Sequence, residues 1–261
     1  MLALTDELWL AAHDGVKGRL LIGDWSLGVG LAAGLLTELI RNGLVELEDG
    51  ELFRDATART HDLALGPLLA QMEIEERDSL PAFSPPSYPA RVRARVPVYG
   101  AWSPPSTPEH RFPAQPVPEE NWHRRPGLPL NDWLSYLAYE HRAEALVTRR
   151  LARGGRAVRK TNRRLFGSAG PRFVPRDSVV AGNPAASINE QVRRGLELDV
   201  ETWLLVGLFL ATGVHLHAFA TLESAERTWL SAQVAHRMPE QLWELLKAAE
   251  AAVGQAAMRK R

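Results

Sequence analysis

The sequence contains no cysteine, which excludes disulfide bonds and thiolate metal sites and suits a reducing cytoplasm. It has no excess of either charge, with 31 Lys and Arg against 31 Asp and Glu. Any electrostatic targeting must therefore come from local clusters. A long apolar run is also missing. The most apolar stretch, Trp203 to Ala220, is broken by Gly207, Gly213, His215 and His217 and falls short of the roughly 20 apolar residues of a membrane span. Asp6 and Glu7 stand where an export signal wants basic residues, so no export signal is read. There is no G-x-S-x-G, H-E-x-x-H or phosphate-binding P-loop motif; neither catalysis nor a cofactor is expected.

Helical spacing dominates what is present. Thr5 is read as the cap of a helix "DELWLAAHD", followed by a short strand "GRLLIG". Leu31, Leu35, Leu36, Leu39 and Ile40 mark a core-facing helix from Leu27, stopped by Asn42-Gly43. "LVELEDGELF" alternates around Asp49-Gly50, a two-residue hairpin signal with Val45, Leu47 and Leu52 inward. A further helix begins near Pro67. Between Pro81 and Pro129 lie thirteen of the 18 prolines, which excludes packed helix and predicts an extended insertion. Its six Phe, Tyr and Trp residues, Phe83 to Trp122, predict that it lies along the protein surface. Helix resumes at "LNDWLSYLAYEHRAEALVTRRLARGG", capped by Asn131, and three further helical stretches complete the chain. The expected fold is mainly α: a single compact helical domain over residues 1–261, with short β-hairpins and a long Pro-rich surface insertion at 81–129.

Four features invite a chemical reading. Gly28-x-Gly30-x-x-x-Gly34 resembles a dinucleotide turn, but no strand leads into it and the following strand turns straight into a hairpin; close helix packing is favoured. His215-x-His217 would point apart on a helix, unlike metal ligands at i and i+4, so no metal is expected. The helix-plus-hairpin front end suggests a winged helix, but residues 27–42 offer Glu38 and one late Arg41 to a groove, so nucleic acid is disfavoured as a partner. The fourth is the strongest: Arg142 to Arg176 holds eleven Arg or Lys and one acid, Glu144. Arg142, Arg149 and Arg150 accumulate on a helix ahead of the apolar pair Leu165-Phe166, a composition suited to an anionic membrane surface.

"LTDELWLAAHDGVKGRLL", "GLAAGLLTELIRNGLVEL", "LGPLLAQM" and "DWLSYLAYEHRAEALVTRRLARGG" with its basic hairpin resemble, in this order, the Golgi phosphoprotein 3-like family, found in actinobacteria and eukaryotes. "DVETWLLVGLFLATG" fits the family's C-terminal part. The resemblance implies a non-enzymatic, cytoplasmic, peripheral membrane protein at the inner face of the membrane. Its relatives bind phosphatidylinositol 4-phosphate and serve as adaptors, and a hairpin aids membrane insertion and self-association into oligomers. Their pocket uses a Trp before the glycine helix, an Arg within it and two Arg on the later helix. Here Trp25 lies two places from the Trp position, and Ala32 replaces the helix Arg. The pair falls on Arg142 and Ala145, or on His141 and Glu144. The residues expected at an anionic, phosphoinositide-like headgroup are Trp25, Arg142, Arg149 and Arg150, with Leu165 and Phe166 contacting the membrane. The alternative is a protein-interaction adaptor that binds a protein partner without lipid.

Overall fold

The computed structural model describes residues 2–79, 127–160 and 172–258. Its centre is α2 (Asp24–Arg41), in which every residue from Leu27 to Leu39 is buried. A helix that is apolar on all sides must be enclosed. Around it pack α1 (Leu4–Ala11), α4 (Leu130–Ala138), α5 (Arg142–Arg153), α7 (Val200–Thr212) and α10 (Glu240–Met258). The side chains of Trp9, Phe209, Leu31, Leu35 and Leu36 fill one continuous core. The glycines of α2 permit these contacts. A Cβ on Gly30 would collide with Thr212 Cγ2, and one on Gly34 with Thr5 Cγ2.

The hairpin forms where the alternation puts it, with β1 (Val45–Glu48) antiparallel to β2 (Glu51–Arg54) and Leu47 opposite Leu52. Asp49 and Gly50 both take positive φ, 52° and 77°, as a twist-matched two-residue turn requires. A third strand, β3 (Leu128–Pro129), joins β2, and α3 (Leu65–Ser79) docks on the same sheet through Arg54, whose Nη2 lies 3.0 Å from Glu76 Oε2 in a buried pair. A second hairpin, β4 (Ala157–Lys160) with β5 (Arg172–Pro175), leads into α6 (Ser178–Arg193). The short α8 (His215–Ala218) and α9 (Ser224–Arg237) complete the set.

Several boundaries differ from the sequence reading. Thr5 does not cap α1; its hydroxyl donates to Glu38 Oε1 at 2.7 Å. "GRLLIG" contributes only an isolated bridge, His13 to Leu20. Asn131 is not a cap, and the helix predicted from it is two, because Glu140 and His141 adopt left-handed φ of 51° and 58°. Gly213 at φ 84° likewise separates α7 from α8. Most of the Pro-rich segment lies outside the described residues.

Candidate functional site

The turn between α4 and α5 builds the site. Left-handed conformation costs a non-glycine residue about 1–2 kcal/mol, and two such residues in succession fold the first residue of α5 back over the end of α4. The Arg142 guanidinium thereby lies 4.1 Å from the Tyr136 ring centroid and 5.5 Å from that of Tyr139. Its Nη1 donates to the Tyr136 carbonyl at 3.4 Å, and Nη2 sits 3.5 Å from Glu140 Oε2. The Arg142 side chain remains 36% exposed, so part of its donor fork is open.

Across from it, at the start of α2, Trp25 donates through Nε1 to the Ala252 carbonyl of α10 at 3.3 Å. Trp25, Ser135, Tyr136, Tyr139, Arg142 and Gln255 line a cavity of about 690 Å³. It offers aromatic walls, one cation, and hydroxyl and amide groups. Such a set suits an anionic group attached to a polar body. The sequence reading named Trp25 and Arg142 but missed Tyr136, although its spacing of three from Tyr139 was visible.

The other expected residues are dispersed. Arg149 is exposed on α5. Arg150 turns inward: its Nε meets Asp6 at 2.9 Å, its Nη1 meets Glu38 at 2.8 Å and Asp62 at 3.2 Å, and its Nη2 donates to Thr5 Oγ1. The carboxylates hold the guanidinium pKa above its usual range despite burial. Burial pushes the Asp6 carboxyl up to about 6, against the pull of Arg150. This arginine ties α1, α2 and the loop before α3 to α5. Ala32 is fully buried, in the interior of the bundle. His141 is paired with Glu144 at 3.1 Å. Leu165 and Phe166 lie outside the described residues.

Arg150 also lines a second cleft, of about 640 Å³, where Glu7, Glu38, Asp62, Asp199 and Glu201 outnumber Arg41, Arg59 and Arg150, and Glu201 is paired with Arg41 at 2.7 Å. Burial, then Glu201 and Asp199, raise the Glu7 pKa. Of the two histidines, His215 is half-buried with Nδ1 3.1 Å from the Phe209 carbonyl, and His217 is exposed. Among the described residues no group of three His, Asp or Glu side chains is placed to hold a metal ion. No described helix is long and apolar enough to cross a membrane.

A helical domain built round one buried glycine-bearing helix, with an arginine and aromatic cavity at that helix's start, is the class these features define. The chain matches the Golgi phosphoprotein 3 (GPP34) family over residues 4–83 and 91–260, and it belongs to that family. No curated protein matches the sequence.

Proposed function

We propose that the protein is a non-enzymatic, peripheral membrane protein that binds anionic phospholipid. The observation that carries this reading is the half-open Arg142 guanidinium, held against Tyr136 and Tyr139 in a cavity that Trp25 also lines and that is large enough for a headgroup. Stacking on Tyr136 fixes the plane of the guanidinium, so its free N–H groups are oriented before a phosphate arrives. Arg149 and the exposed cations Arg156, Arg159, Lys160, Arg172 and Arg176 add attraction to an anionic surface. Arg150 has no part in this reading, because its donors are committed to carboxylates. Leu165 and Phe166 keep the membrane contact that the sequence suggests for them.

The test is co-sedimentation with vesicles of phosphatidylcholine alone or with added phosphatidylinositol or its 4-phosphate. Binding confined to the anionic vesicles and lost in Arg142→Glu supports the proposal; equal sedimentation with neutral and anionic vesicles overturns it.

The acidic cleft favours a second reading, an adaptor that takes a cationic segment of a partner protein. Under it, a Lys-rich and Arg-rich peptide binds the wild type and binds Glu7→Gln/Glu201→Gln more weakly.

A further inference from the structure

We infer that the turn Asp14–Arg19 is a second membrane-contact element, presenting Val16 to the bilayer interface together with Lys17 and Arg19. The inference rests on the proposed lipid-binding function and adds a surface that neither the sequence reading nor the headgroup cavity includes.

Residues 12 to 21 form a miniature hairpin. Leu21 N–H donates to the Ala12 carbonyl at 2.9 Å, Asp14 N–H to Arg19 at 2.8 Å, and Gly18 N–H to Asp14 at 2.7 Å. The Asp14 carboxylate accepts from the N–H groups of Val16 at 3.0 Å and Lys17 at 3.1 Å, and these bonds hold its pKa below the usual range. The backbone of the tip is therefore satisfied internally. Its side chains are left outside: Val16 is 84% exposed, and Lys17 and Arg19 are at least partly exposed with it.

The turn does not stand alone. Gly18 packs on Val174 of β5, where an added Cβ would lie 3.1 Å from Cγ1, and Gly15 packs on the backbone of Ser178. The next residue, Val179, is 77% exposed, and the exposed Arg172 and Arg176 flank Val174. Burial lowers the pKa of His13, at the base of the turn; Glu144 opposes that shift and Arg172 adds to it. Turn, hairpin and the start of α5 are thus neighbours.

Single exposed valines need no explanation. Val16 and Val179 lie on two segments that touch where Gly15 meets Ser178, and those segments also carry the exposed Lys17, Arg19, Arg172 and Arg176, so apolar tips and positive charge occur together. That combination is complementary to the interface of an anionic bilayer, where apolar groups bury among acyl chains and cations meet phosphates. Asp14, the acid within the turn, is occupied by the turn's own amides and by Arg19 Nε at 3.5 Å. Asp177 caps α6.

The absence of cysteine makes a single labelling site simple to install. Val16→Cys carrying an environment-sensitive fluorophore is mixed with phosphatidylcholine vesicles containing phosphatidylserine and phosphatidylinositol, and sedimentation is measured in the same samples. Glu46→Cys, exposed on β1 beyond the other end of α2, is the control. The expected result is brightening and a blue shift at position 16 with anionic vesicles, and neither at position 46. Lys17→Gln should lower the vesicle partition about fivefold, with an unchanged melting temperature, and Lys17→Arg should restore it. Protein that sediments with an unchanged label at position 16 overturns the inference alone and leaves the patch to a soluble acidic partner. No sedimentation overturns the lipid reading and this inference together.

Discussion

Arg150 Nε lies 2.9 Å from Asp6 Oδ1, and the same guanidinium lies 2.8 Å from Glu38. One cation thereby fastens α1 and α2 to α5. Arg150→Met should cost about 3–5 kcal/mol, because it leaves Asp6 and Glu38 buried without a counter-ion. Urea unfolding measures it, and an unchanged midpoint would refute the clamp.

Asp6 gives that clamp a pH signature. Its carboxyl titrates near 6 in the fold against an ordinary value of 3.8, so the folded state binds this proton more tightly than the unfolded one. Protonation favours folding between those values. Relative to Asp6→Asn, the wild type should gain about 2 kcal/mol as pH falls from 6 towards 4, levelling off once pH is below the unfolded value. His13 and Asp62, whose pKa values are lowered, act in the opposite sense and are present in both proteins. Chemical denaturation of the pair at pH 4, 5, 6 and 7 gives the difference directly.

Glycines in helices should divide by what surrounds them. Gly30→Ala drives a methyl into Thr212 and should cost about 1–3 kcal/mol by overpacking. Gly182 in α6 has nothing within 4 Å of an added Cβ, and Gly182→Ala should stabilise by about 0.5–1 kcal/mol. Melting temperatures that move in opposite directions are the expected outcome.

Trp25→Ala opens the wall opposite Arg142. It should weaken binding to anionic vesicles several-fold while leaving attraction through the exposed hairpin cations, so residual binding should be more salt-sensitive than in the wild type. Sedimentation at about 0.05 and 0.5 M salt, either side of the ionic strength at which exposed charges are strongly screened, tests this.

Much of the fold was legible because apolar spacing reports burial directly. Leu31, Leu35, Leu36 and Leu39 marked α2, and Asp49-Gly50 fixed a hairpin with the right residues inward. The breaks were harder to see. Glu140 and His141 carry no local signal for left-handed φ; the packing of α4 and α5 on the same bundle imposes it. The site was legible in part. Trp25 and Arg142 do meet round one cavity, but charge alone could not distinguish Arg149, which is exposed, from its neighbour Arg150, whose partners come from residues 5 to 62.

The pairing of Arg54 with Glu76, beside the register of Leu52 with Leu128, bears on the economy of folding. The described residues on either side of 80–126 are anchored on one sheet by contacts that belong to the folded body. Any connection between those two fixed points, such as residues 80–126, must close a loop, and the entropic cost of closure rises only with the logarithm of length. Exchanging that segment for a linker of about ten residues should therefore raise stability by roughly 1 kcal/mol. The length of this detour can vary widely without demanding any change in the helices that bear the site.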